Sequence, residues 1–288
     1  MQKMTFIVRS MQPQDMGSAI KLSNAEGWNQ TENDWKLFLE GHGNVCMVAE
    51  CDNKVIGTTT AMNYSNNVAW IGMVLVDKNY RGLGVSKALL TNILKKLETF
   101  KSVKLDATPL GQQVYKKLEF KDDYQIARMT SSGMHDLPSD DIHDDESEPI
   151  KEKDIAEIIA LDEITFGANR AQLIKYLVRE YPDNGMLLKR NNRITGFALG
   201  RDGNKYHHIG PVAASNSADA KILVAKALKK LVDQPVVVDV PRDKEALLDW
   251  LSSMGFTEQR YFIRMYKKEN PLPGITSNQY LICGPEFG

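Results

Sequence analysis

The sequence predicts an α/β (α+β) protein built from two copies of one fold, each a mixed, mostly antiparallel sheet flanked by helices. Three observations predict this. Short apolar runs alternate with helical patterns, one apolar run leads through a glycine-rich turn into an amphipathic helix, and the second half repeats motifs of the first. The length of 288 residues suits about two domains.

Turn and cap residues delimit the elements of the first half. Asp52-Asn53 is a hairpin signal between two apolar runs, and Thr31 or Asn33 caps a helix that ends at Leu39. In chain order, the predicted elements are a strand at 6–9, helices at 14–25 and up to residue 39, strands at 45–51, 55–63 and 68–76, a helix from residue 85, a strand at 103–105 and a helix from residue 109.

The second half repeats short motifs of the first half at matching intervals. Ile209-Gly210-Pro211-Val212 corresponds to Ile71-Gly72-Met73-Val74. An Arg-Met dipeptide follows Phe120 by eight residues in the first half, and the same dipeptide follows Phe256 by eight residues in the second. The equal offset of one dipeptide indicates a tandem duplication.

The turn of the first half is the most informative segment of the chain. Arg81-Gly82-Leu83-Gly84 forms the turn, and Val85-Ser86 begins the helix. Such a turn directs several backbone N–H groups to one point at the positive end of a helix. The sequence therefore predicts a site for a pyrophosphate here.

Three phosphate-binding loops and an ordinary structural turn are alternatives for this segment. A dinucleotide loop needs G-x-G-x-x-G, but Lys87 stands at the third glycine position. A nucleotide-triphosphate loop needs G-x-x-x-x-G-K-[ST], but Val85 follows Gly84. The remaining phosphate-binding pattern reads R-G-L-G-V-S from Arg81.

This third pattern resembles the acetyl-coenzyme A loop of the GNAT acyltransferases, roughly [RQ]-x-x-G-x-[GA], with Gly84 as its glycine and Ser86 as its final small residue. A second family block, Y-x-x-x-G-F, is matched by Tyr115 to Phe120, but Glu119 replaces the glycine. Glycine favours the left-handed conformation at a helix end, so Glu119 makes that end costlier. The resemblance covers residues 5–131, and a two-domain GNAT subgroup resembles the whole chain.

The resemblance implies acetyl-CoA as the cosubstrate and no metal. It also implies that the strand at 73–76 separates from the strand at 103–106, so that the pantetheine arm pairs with the free backbone of the first strand. A backbone N–H near Val74 is then expected to polarise the thioester carbonyl. The implied coenzyme-binding residues are Val74, Leu75, Val76, Arg81, Gly82, Leu83, Gly84, Val85 and Ser86.

Acyl transfer also needs a proton donor for the departing thiolate and a neutral amine. Tyr115 is the expected general acid, because a phenol with an ordinary pKa of about 10 stays protonated near neutrality. Glu26, at the end of the first helix, and Asp106, at the end of a strand, are alternatives for the general base. Either carboxylate is equally explained as a salt-bridge or turn residue.

Acceptor binding is expected to involve both halves. Trp28 and Asn29 follow Glu26 in the region that lines the acceptor side of GNAT folds. From the second half, Arg170, Asp239 and Arg264 are the candidates, and either arginine is expected to capture an acceptor carboxylate or to form an internal salt bridge. The predicted function is acetyl transfer to a primary amine of a small molecule or amino acid. A non-catalytic acyl-CoA sensor or scaffold and N-terminal acetylation of a protein or peptide are alternatives.

The second half is expected to be degenerate. The interval from the shared Ile-Gly motif to the aspartate that closes the next strand is 34 positions in the first half and 29 in the second. The missing five positions fall at the phosphate loop, and Leu251 stands opposite Tyr115. We predict domains at 1–131 and 151–288, joined by an acidic linker at 132–150, with the second domain contributing to the acceptor pocket.

Composition limits the other classes of function. A net charge of −1 gives no overall field that attracts nucleic acid or membrane. No apolar run reaches the roughly 20 residues that span a bilayer, and the first residues lack the apolar core of a signal peptide. Three cysteines without a framework spacing favour a reducing compartment, so we expect a cytoplasmic monomer or homodimer.

Overall fold

A computed structural model describes residues 5–133, 147–270 and 272–288. The strands are β1 (Ile7–Ser10), β2 (Val45–Cys51), β3 (Lys54–Tyr64), β4 (Val68–Val76), β5 (Ser102–Ala107), β6 (Lys121–Ser131), β7 (Ser147–Pro149), β8 (Met186–Arg190), β9 (Arg193–Arg201), β10 (His207–Ala214), β11 (Val236–Pro241), β12 (Thr257–Lys268) and β13 (Gln279–Leu281). The helices are α1 (Met16–Ala25), α2 (Glu32–Glu40), α3 (Val85–Lys96), α4 (Pro109–Lys116), α5 (Ile155–Phe166), α6 (Ala171–Glu180), α7 (Ser217–Lys229) and α8 (Glu245–Ser253).

This element order confirms the predicted fold class and the duplication. Strands β1–β6 with helices α1–α4 recur in the same order as β7–β12 with α5–α8. Local signals fix several boundaries as predicted: Thr31 caps α2 by accepting from the Asp34 amide. Asp52 and Asn53 join β2 to β3 with φ angles of 48° and 59°, the pair of positive values that a tight hairpin turn needs.

The two halves share one continuous sheet because they exchange strands. The strand order is β1-β2-β3-β4-β5-β12-β6-β11-β10-β9-β8-β7, with β13 paired to β10. Strand β12 of the second half lies between β5 and β6 of the first, and β6 lies between β12 and β11. Each half therefore completes the sheet of the other.

The predicted boundaries at residues 131 and 151 stay predictions. Strand β6 belongs to the first predicted domain by sequence, yet its partners are β11 and β12 of the second. Residues 134–146, which include most of the predicted acidic linker, lie outside the described residues. Glu148, near the end of that linker, forms an ion pair with Lys189.

Apolar clusters cover both faces of the sheet. On one face, α3 packs on the first half and α7 on the second. On the other face, a single cluster contains residues of both halves, among them Trp35, Phe38, Trp70, Phe166 and Phe287. Phe38 stacks on Phe287 with ring centroids 4.8 Å apart. Burial of this shared cluster couples the two halves in folding.

The three cysteines are buried and unpaired to one another. Cys46 packs in the shared cluster and Cys51 in the cluster under α3, so their side chains point to opposite faces of β2, as predicted. No helix in the described part of the chain combines the length and the apolar character that crossing a membrane requires.

Candidate active site

The first feature of the site is a gap between two parallel strands. Strands β4 and β5 pair from Val68↔Ser102 to Ile71↔Leu105 and no further. A register shift in β4, with a positive φ of 50° at Met73, turns the strand at this point. Among the described residues, Leu75 and Val76 consequently have a strand partner on the β3 side only, and Val74 lies within the register shift between Gly72 and Leu75.

A turn rich in free amides follows β4. Gly82 and Gly84 have φ angles of 77° and 83°, and a Cβ atom at either position would meet nothing within 4 Å. Gly84 caps α3 without a side-chain hydrogen bond, and the first turn of α3 holds no acidic residue. Val85 is buried while Leu83 and Ser86 reach the surface, so the end of α3 is open to an anion.

Glu26 reaches this loop. Its carboxylate accepts from Arg81 at 2.6 Å and lies 3.8 Å from the Lys78 ammonium, and its side chain is 24% exposed. Arg81 also donates to the Val76 carbonyl oxygen at 3.2 Å. The structure thus connects Glu26 to the phosphate loop through Arg81, while its predicted role as a base stays a prediction.

Tyr115 lies on α4 against the same core cluster as Val74 and Val76. Its ring meets Phe120 edge to face at 5.8 Å. Burial raises the pKa of the Tyr115 phenol above its ordinary value, which keeps the hydroxyl protonated and able to donate. The strand gap and Tyr115 are therefore brought together around one cluster.

Asp106 has a partner that its sequence position did not reveal. Arg264 of β12 donates to both Asp106 oxygens at 2.9 Å and to the Tyr124 hydroxyl at 2.5 Å. Burial raises the pKa of Asp106, and the guanidinium counteracts that rise. Both side chains are buried, so this candidate base and this candidate acceptor ligand form an ion pair with each other.

The other two candidate acceptor ligands of the second half are also paired. Arg170 donates to both Asp162 oxygens, at 3.0 and 2.7 Å, and to the Gly288 carbonyl oxygen. Asp239 accepts from Arg128 twice at 2.7 Å. The structure places Arg170 and Asp239 in separate buried ion pairs, and their acceptor roles stay predictions.

Asn29 joins the two halves. Its amide donates to the Tyr206 carbonyl oxygen, and its side-chain oxygen accepts from the Lys205 and Tyr206 amides, at 2.9 to 3.0 Å. Its neighbour Trp28 is half-buried against the shared cluster. The loop between β9 and β10 therefore lies over the end of α1, beside Glu26.

The corresponding gap in the second half is filled by the chain itself. Strands β10 and β11 pair in parallel from His207↔Val236 to Ile209↔Val238, and then β13 pairs with β10 instead. The Ile282 amide donates to the Asp239 carbonyl oxygen of β11 at 3.0 Å. A backbone segment thus occupies the gap that remains open in the first half.

The helix after this second gap is capped by its own side chains. Only Ser215 and Asn216 separate β10 from α7, where eight residues separate β4 from α3. The Asn216 side chain accepts from the Asp219 amide at 2.9 Å, and the Asp219 carboxylate lies in the first turn. This end of α7 holds a buried carboxylate that pairs with Arg190 at 3.0 Å, whereas the first turn of α3 holds no acidic residue.

Leu251 is equivalent to Tyr115 in structure as well as in sequence position. The Phe120 amide donates to the Tyr115 carbonyl oxygen at 3.1 Å, and the Phe256 amide donates to the Leu251 carbonyl oxygen at 3.1 Å. Leu251 is fully buried in the second core cluster. The second half has no hydroxyl at this position.

Two residues near the gap were not among the predicted site residues. Glu286 lies against Gly72 of β4, and Arg260 lies on β12 beside Arg128. No motif or spacing rule in the sequence analysis marks either residue. Both owe their position to strand exchange and to the path of the last residues.

Among the described residues, no group of three histidine, cysteine, aspartate or glutamate side chains is arranged to hold a metal ion.

The open strand gap, the amide-rich helix end and the duplicated topology are together typical of an acyltransferase fold. Family comparison agrees: residues 15–120 match the model described as "Acetyltransferase (GNAT) family", and residues 158–281 match that described as "Acetyltransferase (GNAT) domain". The chain belongs to the GNAT family and is an N-acetyltransferase with two GNAT domains.

Relatives and solved structures agree with this assignment. A holothin acyltransferase of Pseudoalteromonas sp. (strain SANK 73390) is 26% identical over 86% of this chain and 83% of that protein. An uncharacterized N-acetyltransferase of Bacillus subtilis (strain 168) is 25% identical over 70% and 71%. A putative acetyltransferase from Pyrococcus horikoshii shares the fold, with a TM-score of 0.82, 20% identity and coverage of 100% and 97%.

Proposed function

We propose that this protein transfers an acetyl group from acetyl-CoA to a primary amine of a small molecule or amino acid by direct attack of the amine. The observation that carries the proposal is the contrast between the two strand gaps. One gap opens beside a helix end without a side-chain cap, and the other is filled by β13 beside a helix that Asn216 caps. A single coenzyme site per chain follows.

The first half fits a coenzyme A diphosphate. The space beside Gly82 and Gly84 is open, Ser86 adds a hydroxyl, and no carboxylate of the α3 first turn opposes an anion. Gly72 to Val76 offers a free strand edge to the pantetheine amides, as an added strand would. Bound acetyl-CoA would supply the activated acyl group, and a β4 amide near Val74 would polarise its carbonyl.

Proton transfer falls to Tyr115 and to a base. The amine nitrogen bonds to the acyl carbon as the carbon–sulfur bond breaks, the phenol gives a proton to the departing sulfur, and the amine loses one proton. Burial keeps the phenol protonated until that moment. Of the two predicted bases, Glu26 is the more exposed carboxylate, while Asp106 is held by Arg264.

The experiment measures thiol release from acetyl-CoA over a panel of primary amines, together with calorimetric titration of the intact chain. We expect amine-dependent thiol release and one acetyl-CoA bound per chain. The intact chain is required because β6 and β12 are exchanged between the halves. Binding without release over the whole panel would support the acyl-CoA sensor, and two bound molecules per chain would contradict the filled second gap.

A further inference from the structure

Buried charges of both halves meet beside β4. Arg201, at the end of β9, donates to Asp34 of α2 at 3.0 Å and to the Glu286 carboxylate. The three residues are 1%, 0% and 3% exposed. A charged group this deeply buried is stable only when it is paired, and Arg201 has two carboxylates around one guanidinium.

One oxygen of Glu286 is left without a donor. Oε1 pairs with Arg201, whereas Oε2 is buried and receives no hydrogen bond from any described residue. Buried polar atoms almost always have a partner, so an unpartnered carboxylate oxygen marks a place where a ligand or an ordered water supplies the donor.

This oxygen belongs to a residue that packs on the strand bordering the open gap. A Cβ atom at Gly72 would lie 3.0 Å from the Cα of Glu286, and Trp70 Nε1 donates to the Pro285 carbonyl oxygen at 3.0 Å. Gly72 directly follows Ile71, the last residue of β4 that pairs with β5. Glu286 therefore packs on β4 at the point where the gap to β5 begins, beside the strand that would carry the acyl group in the proposed function.

Arg260 is a second group without a hydrogen-bond acceptor among the described residues. It lies opposite Arg128 in the β6–β12 register, and both guanidinium groups lie over the Phe262 ring, at 5.5 and 5.0 Å. Arg128 is neutralised by Asp239, but Arg260, half-buried, has no hydrogen-bond or ion-pair acceptor in the described ranges. Burial lowers the pKa of Arg260, and the neighbouring Arg128 lowers it further.

The last residues of the chain connect these two groups. Ile282 packs with Phe262 and Ile126 on the face of the sheet that carries Arg260, and four residues later Glu286 packs on Gly72. The Glu286 carboxylate also acts on Arg260 electrostatically. A buried carboxylate with one unpartnered oxygen and a guanidinium without an acceptor among the described residues thus interact electrostatically.

Building on the proposed acetyl transfer, we propose that Glu286 and Arg260 bind the acceptor, Glu286 through the acceptor amine and Arg260 through an acceptor carboxylate. The substrate class is then an amino acid or another small amine that also bears a carboxylate. A guanidinium fork matches a carboxylate geometrically, and a dipolar acceptor supplies the missing partner to both side chains.

The test compares amino acids with their methyl esters, which keep the amine and lose the carboxylate. Glycine, β-alanine, 4-aminobutanoate, 6-aminohexanoate and the protein amino acids are assayed by thiol release, each beside its ester. We expect the wild type to prefer the acids. Arg260→Gln should raise KM for the best acid by about 10- to 100-fold and leave KM for its ester and Kd for coenzyme A within about twofold.

Stability and a matched arginine provide independent controls. Because Arg260 lacks a partner, Arg260→Gln should leave Tm unchanged or raise it, whereas loss of a structural arginine would lower it. The matched control is Arg242. It stacks on Tyr261, which lies next to Arg260 on β12, and it pairs with Glu258. Arg242→Gln should retain the preference for acids. Equal rates for acids and esters in the wild type, or an equal loss for both in Arg260→Gln, would overturn the proposal.

The Glu286 part is tested against Asp34, the other carboxylate on Arg201. Glu286→Gln should lower kcat for acid and ester alike by about tenfold or more, whereas Asp34→Asn should lower Tm without a comparable loss of kcat. Equal kcat losses in the two variants would reduce Glu286 to a structural partner of Arg201. Absence of thiol release with every amine is a different result, since it would overturn the proposed function itself.

Discussion

The β4–β5 gap of the first half and the β10–β11 gap of the second are the same feature with opposite contents. Both pairs of strands begin in parallel register and then lose it. In the second half, β13 takes the free edge of β10, and Asp219 lies in the first turn of α7. In the proposed function, the chain itself thus supplies in the second gap the strand that the coenzyme would supply in the first.

The residues that fill the β10–β11 gap also contact the first half. The residues that fill the second gap continue along the face of the sheet to β4, where the Phe287 carbonyl oxygen accepts from the Tyr64 hydroxyl at 2.7 Å. Glu286 is thereby held against Gly72. The segment that fills the β10–β11 gap thus also packs on β4 beside the open gap. The filling of one gap and the surroundings of the other therefore depend on the same residues.

The first prediction removes the hydroxyl that only the first half has. Tyr115→Phe should lower kcat by about 100-fold or more, because the departing sulfur loses its proton donor. Steady-state thiol release measures this, and calorimetry should show coenzyme A affinity within about twofold of the wild type. Leu251→Met, at the equivalent position of the second half, should leave kcat within about twofold. An undiminished kcat in Tyr115→Phe would remove this difference between the halves.

The second prediction tests how tightly β13 fills its gap. A Cβ atom at Gly210, where φ is 148°, would lie 2.0 Å from the Ile282 carbonyl oxygen, so Gly210→Ala should lower the free energy of unfolding by about 2–3 kcal/mol. The equivalent Gly72→Ala meets Glu286 at 3.0 Å and should lose about 1 kcal/mol. Chemical denaturation compares the two, and equal losses would mean that both gaps are equally filled.

The third prediction concerns a carboxylate placed in the first turn of α3, at the position where α7 already has Asp219. Lys87 is the third residue of α3, as Asp219 is of α7. Lys87→Asp should raise Kd for acetyl-CoA by about tenfold or more, because its carboxylate competes for the free amides and repels the diphosphate. Lys87→Gln, which removes only the positive charge, should raise Kd by less than about threefold. Calorimetric titration separates the two, and an unaltered Kd in Lys87→Asp would place the diphosphate elsewhere.

Local patterns predicted the elements because they depend on nearby residues. Thr31, Asp52 and Asn53 act through their own turns, and the motifs around Gly72 and Gly210 recur because the fold recurs. The strand exchange has no such signal, since nothing in the residues of a strand such as β6 indicates which half supplies its neighbours. Sequence position therefore indicated two separable domains, while the pairing gives one sheet.

The candidate site likewise has a part that local sequence predicted and a part that depends on residues far apart in the chain. Its predicted coenzyme loop is contiguous, so the resemblance identified a loop whose glycines have open space beside them. The partners of Asp106 and Asp239 are 158 and 111 residues away, and no spacing rule joins residues across such distances. Arg170 was predictable in part, because its partner Asp162 precedes it by only eight residues at the end of α5.

The smallest effect is expected at the helix end that follows Tyr115. Glu119 has a φ of 66°, and its equivalent in the second half, Gly255, has a φ of 86°. Only glycine adopts this conformation without steric cost, so Glu119→Gly should raise Tm by about 1–2 °C even though it removes an exposed ion pair with Lys267. Glu119→Ala, which removes the same ion pair and keeps the Cβ atom, should give no such rise. Calorimetric melting of the two variants separates backbone strain from charge, and a Tm of Glu119→Gly no higher than that of Glu119→Ala would show that the departure from the family glycine carries no strain.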